Sequence, residues 1–390
     1  MRIVFFTNVI PDPCGAFFHD IGIAKEMQRR GHTVTFVPVN KGTGPLRGTY
    51  RTFQYVYYTN AEKELGGADL WSAPHFPVMP LVRRLNERFQ KPLLVTMHFG
   101  ESTDSVRPYT RYGNWAELLW VVSRHNYNYV INNIPLSPTF KGHESIRPLM
   151  IESDVKFNER GTLPTGDCIT MINANLLKGL PIFVEIAKKF PERKFLAVRP
   201  YYNKIAVPED IPNIEWVDFQ EDIRAVLRRT RILLVPSMYE SWGRVAFESM
   251  YNGIPVVFTK PFGKKVLDRP SGTTEGMYEW IRDSQFPCSY DLPRQDWIDA
   301  INKLDDPDVY AEYSKRAYDQ TYEMNVFGDF QIMEKKLYDF SVQYKPTEAS
   351  NKTGTTSTLS SRPQSTLGLP AAAARGNAMP FRGGRFSLKR

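Results

Sequence analysis

Residues 235–257 read VPSMYESWGRVAFESMYNGIPVV, and their reading decides the architecture. Just before them, Arg231 to Pro236 (RILLVP) is an apolar run with the length of a buried strand. A loop holding Glu240 follows, and a helix begins at about Gly243. That helix carries Glu248, closes at Asn252-Gly253 and leads into a second apolar strand, IPVVFT. Two carboxylates thus flank a helix start at the carboxyl end of a strand, the edge where open α/β sheets bind ligands. The leading N–H groups around Trp242, Gly243 and Arg244 suit an anion such as a phosphate. Carboxylates repel phosphate but accept hydrogen bonds from sugar hydroxyls. A phosphate cradle beside two hydroxyl-binding carboxylates points to a sugar nucleotide. The ordinary alternative is a pair of solvated helix glutamates. The strand-end position, the helix-start glycine and the apolar flanks argue against it.

Outward from this stretch, strands and helices alternate. Residues 2–7 are apolar enough for a central parallel strand, and a loop with Pro11, Pro13 and Gly15 follows. A helical pattern runs from about Phe17 to Arg30 and stops at Gly31-His32. Strands are expected at 33–39, 68–72, 92–97 and 129–131, with helices at 76–90 and 115–124. The polar stretch from Leu149 to Thr165 places a boundary near residue 155. A second alternating run begins with the strand Cys168 to Ile172, then a helix at 180–190, strands at 194–198 and 213–217, and a helix at 222–229. Helices fill 294–322, and Phe330, Met333, Leu337 and Phe340 give the last helix an amphipathic pattern. Alternation of this kind implies right-handed crossovers and parallel sheets.

The chain has 390 residues, enough for two domains, and 42% hydrophobic with 13% aromatic residues supports sizeable cores. The net charge of +8 is local: from Lys345 onward eight basic residues face one acid, Glu348, so about +7 lies in the tail. The body offers no broad basic face for nucleic acid. From about Thr347 the composition turns to Ser, Thr, Gly, Pro, Ala and Arg, which predicts a disordered tail. Cys14, Cys168 and Cys288 fit no disulfide framework or metal spacing, and a reducing cytoplasm is the expected setting. The apolar start IVFFTNVI ends at Pro11-Asp12-Pro13 without a cleavage pattern and reads as a strand, not a signal peptide. No apolar stretch reaches membrane-spanning length; peripheral membrane contact stays open.

Further positions carry chemistry. Lys178-Gly179 follows the first strand of the second run, where a lysine can reach a leaving diphosphate; a plain surface lysine is the competing reading. His98 ends the strand PLLVTMH, facing the expected cleft, although a lone histidine is commonly structural. Gly15 would let backbone come close to a ligand, or would only serve the turn. The segment Arg107 to Trp115 mixes arginines with aromatics, and Arg107, Tyr109, Arg111 and Tyr112 are candidates for acceptor contact in what is otherwise an ordinary loop.

On these residues the chain resembles a retaining glycosyltransferase of the GT-B fold, in family 4 (glycosyl transferases group 1). The resemblance runs from the first strand to about Tyr344 and is strongest in the second half. The Glu-x7-Glu motif matches Glu240 to Glu248, with NGIPVV continuing the match. It implies that Glu240 contacts the donor sugar and Glu248 the nucleoside ribose. Lys178-Gly179 matches the family's Lys-Gly, whose lysine binds the diphosphate, and Val95-Thr96-Met97-His98 matches a strand whose histidine contacts donor sugar and phosphate. Pro11 to Gly15 is similar to the first glycine loop, with one glycine where two are frequent, and Gly272 to Glu275 is similar to a Gly-Gly-x-x-Glu turn. The arginine usual before Lys-Gly is absent; Asn173 and Asn175 stand there, and Arg199 is the candidate replacement for its charge.

The resemblance implies an α/β GT-B architecture: two Rossmann-like domains facing across a cleft, with a disordered C-terminal tail. The expected division is residues 1–155 for the acceptor side, 156–322 for nucleotide-sugar binding, 323–345 for a closing helix and 346–390 for the basic tail. The expected reaction moves a sugar from a nucleotide sugar to a hydroxyl acceptor, a saccharide or lipid-linked saccharide, without metal or cofactor. Retention in the family runs by same-face attack, with the leaving phosphate taking the acceptor's proton. His98, Lys178 and Glu240 are the expected catalytic residues. Gly15, Lys178, Arg199, Trp242, Gly243, Arg244 and Glu248 are the expected donor contacts. The basic tail ending FRGGRFSLKR motivates a second acceptor reading, hydroxylated bases of DNA. Readings of other classes are a nucleotide-sugar epimerase, which shares the fold, and a non-catalytic nucleic-acid-binding protein.

Overall fold

A computed structural model of the chain describes residues 1–74, 77–98, 118–133, 142–145, 152–201, 211–262, 274–324 and 326–344. Two sheets organise it. The first has eight strands: β1 (Arg2–Thr7), β2 (Thr33–Pro38), β3 (Arg47–Tyr50), β4 (Phe53–Val56), β5 (Leu70–Pro74), β6 (Leu93–Met97), β7 (Leu118–Val121) and β8 (Gly142–Ser145). Their order is β3-β4-β2-β1-β5-β6-β7-β8, parallel throughout except for the antiparallel β3–β4 hairpin. Helices α1 (Gly15–Arg29), α2 (Glu62–Gly67), α3 (Met79–Phe89) and α4 (Arg124–Asn133) connect these strands.

The second sheet has six parallel strands in the order β11-β10-β9-β12-β13-β14. They are β9 (Cys168–Ile172), β10 (Phe195–Val198), β11 (Ile214–Val217), β12 (Thr230–Val235), β13 (Val256–Thr259) and β14 (Phe286–Cys288). Its helices are α5 (Glu152–Val155), α6 (Leu180–Lys189), α7 (Arg224–Leu227), α8 (Arg244–Met250), α9 (Glu275–Ile281), α10 (Gln295–Lys303) and α11 (Pro307–Glu323). The central strands β1, β5, β6, β9, β10 and β12 are buried along nearly their whole length, as parallel strands covered on both faces must be.

The chain ends its described part with α12 (Val326–Gln343). Phe330, Met333, Leu337 and Phe340 are buried on it, in one core cluster with Phe5, Ile21 and Trp120 of the first sheet's layer. Each such side chain contributes about 1.5–3 kcal/mol. Arg30 and His32 both reach Glu334, at 2.6 and 2.9 Å. The last helix therefore packs back on the first half of the chain.

Two expectations are corrected. The segment read as a helix at 115–124 contains strand β7, and the strand expected at 129–131 lies within α4. The run Leu118-Leu119-Trp120-Val121 is buried throughout, and in sequence a short apolar run fits a buried strand or a buried helix equally. Pairing with β6 and β8 on its two edges decides for the strand. The β3–β4 hairpin and helices α2 and α9 were not anticipated. The segment Arg107 to Trp115 and the basic tail 346–390 lie outside the described residues.

Candidate functional site

The carboxyl ends of β1, β6, β9, β10 and β12 open onto one cleft of about 1080 Å³, lined from both sheets. Gly15, His98, Lys178, Arg199, Glu240, Trp242, Gly243, Arg244 and Glu248 all line it. Every candidate residue within the described part of the chain is thus brought to one place. Arg107, Tyr109, Arg111 and Tyr112 fall outside that part.

The lysine loop is built on glycine and asparagine. Gly179 has φ +82°, and a Cβ there would lie 1.8 Å from the Pro236 carbonyl oxygen. The loop thus presses on the end of β12, and the Met238 amide donates to the Leu177 carbonyl at 2.9 Å. Asn175 Oδ1 accepts from the Lys178 amide at 3.1 Å, and Asn173 takes a left-handed φ of 62° that asparagine tolerates. The two asparagines, which stand where an arginine was expected, shape the loop. The result is a direct contact: Lys178 Nζ donates to Glu240 Oε1 at 2.6 Å, and Ser237 Oγ donates to the same oxygen at 2.7 Å.

The glutamate loop is fixed just as tightly. Gly243 caps α8 with φ +78°, and a Cβ there would meet Met277 Sδ at 2.5 Å. A Cβ on Gly276 would lie 1.9 Å from the Ser241 carbonyl oxygen, so α9 lies against the loop's backbone. Trp242 is buried and stacks on Phe247 with ring centroids 4.2 Å apart, so its indole serves packing. Glu248 is buried, and its Oε1 accepts from Arg244 Nε at 2.6 Å. Burial raises the Glu248 carboxyl above its usual range, and Arg244 opposes that rise. Arg199 turns to the β11 edge, donating to the Trp216 carbonyl at 3.3 Å with Asp218 at 3.4 Å. A Cβ on Gly15 would meet no protein atom within 4 Å, which leaves room for a ligand at the start of α1.

On the facing wall, His98 is buried at the end of β6 and lies edge-on to His19, ring centroids 4.9 Å apart. His19 Nδ1 sits 3.3 Å from Asp20 Oδ1, and both residues are buried. Burial raises the Asp20 carboxyl, and the His19 contact opposes it. His19 and Asp20 were missed in sequence. A polar pair inside the apolar run Phe17-Phe18-His19-Asp20-Ile21 was the available signal. Arg51 and Glu221, which meet across the cleft edge at 2.8 Å, were also missed. They lie in loops of different sheets, the β3–β4 turn and the loop after β11, and nothing in sequence links them.

Comparison with known proteins agrees with this geometry. The fold is GT-B. Over 86% of this chain and 98% of the other, it is similar to sucrose-phosphate synthase from Thermosynechococcus elongatus, with a TM-score of 0.65 at 12% identity. Over 87% of this chain and 100% of the other, it is similar to HepE from Anabaena in complex with UDP and glucose, with a TM-score of 0.64 at 15% identity. WaaG, a glycosyltransferase involved in lipopolysaccharide biosynthesis, is similar over 86% of this chain and 99% of its own, with a TM-score of 0.57 at 13% identity. A search of curated proteins gives no match. Residues 206–267 match the family described as Glycosyl transferases group 1, and this stretch holds Glu240 and Glu248. A segment similar to group 1 glycosyl transferases thus lies on a GT-B fold.

Proposed function

We propose that the cleft binds a nucleotide-sugar donor and that the protein transfers its sugar, with retention, to a hydroxyl of a saccharide or lipid-linked saccharide. The observation that carries this is the meeting of Lys178, Glu240 and Glu248 from one sheet with His98 from the other in a single cleft. Lys178 holds the diphosphate, Glu240 the sugar hydroxyls and Glu248 the ribose. His98 approaches the sugar from the opposite wall. HepE, similar in fold, has been seen with UDP-glucose, which makes that compound the first probe.

The chemistry follows from where charge develops. The bond from the anomeric carbon to the diphosphate oxygen breaks as the bond to the acceptor oxygen forms on the same face. The acceptor's proton passes to the departing phosphate. Negative charge grows on the diphosphate, where the Lys178 ammonium stabilises it; one preorganised donor of this kind accounts for about 10²–10³ in rate. Lys178 is paired with Glu240. Donor phosphate competes for the ammonium and frees a Glu240 oxygen for a sugar hydroxyl, while Ser237 continues to hold the carboxylate. Neither a metal ion nor a cofactor enters this scheme. Among the described residues no helix is long and apolar enough to cross a membrane.

The test is calorimetric titration with UDP-, GDP- and ADP-sugars, then mass spectrometry of saccharide acceptors incubated with the donor that binds. Binding lost in Glu240→Ala, with a sugar added to an acceptor by the wild type alone, supports the reading. Binding of every donor unchanged in Glu240→Ala would overturn it.

A further inference from the structure

Beneath the donor-facing wall lies a group of side chains that the transfer scheme uses only in part. His19, Asp20 and His98 are all buried, and one potential ligand atom from each lies within 4.8 Å of the others. The three residues line the cleft, so the group is reached from solvent through the site itself. Local sequence does not join His98 to this pair, because it is 78 positions from Asp20 and meets it through the contact of its ring with His19.

Two observations show that the group lacks something. Asp20 is 3% exposed, and among the described residues its hydrogen-bond partner is the His19 imidazole, with no lysine or arginine on it. A carboxylate so far from water calls for a positive partner. His19 Nε2 is likewise buried without a hydrogen-bond partner among the described residues. A buried carboxyl group beside imidazole nitrogens is a ligand set for a cation that accepts nitrogen and oxygen together.

We propose that His19, Asp20 and His98 form a binding site for a divalent transition-metal ion, with Zn²⁺ the best match to the ligands, and that its occupation inhibits transfer. Two imidazoles and one carboxylate leave open coordination positions toward the cleft. Tetrahedral ligands about 2.0–2.1 Å from zinc lie roughly 3.4 Å apart. His19 Nδ1 and Asp20 Oδ1, at 3.3 Å, already meet that spacing. The widest separation, at most 4.8 Å, closes by rotation of the His98 ring. A bound ion would take the nitrogen that His98 needs to approach the donor. The inhibitory consequence rests on the donor reading above; the metal site itself does not.

The experiment uses the full chain, stripped with EDTA and desalted. Zn²⁺ is titrated by calorimetry, and Co²⁺ by the visible absorption of its imidazole complexes. One equivalent should bind, and His19→Ala and Asp20→Asn should each weaken binding by more than about tenfold, since even the outer partners of ligands cost 10–100-fold. Cys14→Ser, which removes a thiol lining the same cleft, should leave binding intact. Circular dichroism checks that each variant folds, and His19→Gln serves where His19→Ala does not. The Co²⁺ spectrum of the wild type needs no variant. Absence of stoichiometric binding, or binding unchanged in His19→Ala and Asp20→Asn, overturns the proposal, as does binding lost in Cys14→Ser. Binding without inhibition would leave the site standing and count against the role given to His98.

Discussion

Lys178 Nζ lies 2.6 Å from Glu240 Oε1, although 62 positions separate the two residues in the chain. Each sits in the loop after a neighbouring strand, β9 and β12, and the Gly179–Pro236 contact fixes the loops against each other. In the proposed reaction the lysine leaves the carboxylate for the donor diphosphate. Lys178→Ala should therefore lower the rate of transfer by about a hundredfold or more. Stability should fall by about 1–3 kcal/mol, because the Glu240 side chain is 8% exposed and its buried carboxylate would be left with Ser237 in place of the ammonium. Initial rates at saturating donor and a denaturant curve measure the two effects. A rate within tenfold of wild type would remove Lys178 from the leaving-group site.

Gly179 presents the opposite case, a residue whose loss acts through the backbone. At φ +82° an added methyl would sit 1.8 Å from the Pro236 carbonyl oxygen, so the left-handed conformation and the clash act together. Gly179→Ala should cost more than about 2 kcal/mol of folding stability. It should also separate Lys178 from Glu240 and so lower transfer in the molecules that remain folded. Urea unfolding followed by tryptophan fluorescence reads the first effect. A variant as stable as wild type would mean that the loop does not rest on β12 as described.

Glu248 links stability to pH. Burial raises its carboxyl above the usual 4.5, with Arg244 opposing. For a carboxyl raised on folding, the stabilising form is the protonated one. Its contribution is complete below about 4.5 and is lost as pH rises through the raised value. The fold thus carries a buried acid whose cost to stability grows with pH. Glu248→Gln should be at least as stable as wild type at pH 7–8, with the difference shrinking toward pH 4.5. Donor affinity should fall by about tenfold or more, the worth of a hydrogen bond to a charged acceptor. Thermal unfolding across pH and donor calorimetry measure both. A loss of stability at pH 8 together with unchanged donor binding would make Glu248 a structural residue.

The reach of the sequence is clearest in what it placed well and what it could not see. Lys178, Glu240 and His98 each follow an apolar strand and Glu248 lies on the helix after one, and the carboxyl ends of strands in a parallel sheet share an edge by topology alone. Local spacing therefore sufficed to gather most of these candidates at one cleft. It failed at 115–133, where two short apolar segments exchanged their expected forms because burial, not periodicity, selects strand over helix there. Trp242 was placed at the donor site for its backbone N–H; it lines the cleft while its ring stacks on Phe247. Asn173 and Asn175 read as a missing charge because the lysine loop's backbone geometry leaves no mark on spacing. Long-range pairs such as Asp20 with His98, or Arg51 with Glu221, are properties of packing between elements that no local pattern records.

Arg51 and Glu221 give the last prediction. The turn between β3 and β4 carries Tyr50 and Arg51 to Glu221 in the loop after β11, with contacts of 2.7 and 2.8 Å to one carboxylate oxygen. Phe18 at the start of α1 stacks on Phe219 with centroids 6.5 Å apart, and the Arg51 guanidinium lies over Phe18. Phe18, Arg51, Phe219 and Glu221 line the cleft and, with Tyr50, tie the first sheet's side to the second's. Tyr50 and then Arg51 hold the Glu221 carboxyl below its usual range. A lowered carboxyl contributes above the usual 4.5, and the contribution is lost as pH falls through the depressed value, so the tie is intact at neutral pH. Glu221 is 56% exposed in its side chain, which limits the pair to about 0.4–1 kcal/mol. That is too little to decide folding but enough to shift a balance between closed and open clefts by about two- to fivefold. Glu221→Gln should raise the donor KM by that factor and expand the particle slightly in small-angle scattering, with folding stability unchanged. High salt should bring the wild type toward the variant, since a half-exposed pair is screened. Exchanging the charges, Arg51→Glu with Glu221→Arg, should recover part of the loss. Kinetics and scattering both unchanged in Glu221→Gln would show that the cleft is held shut by its apolar contacts alone.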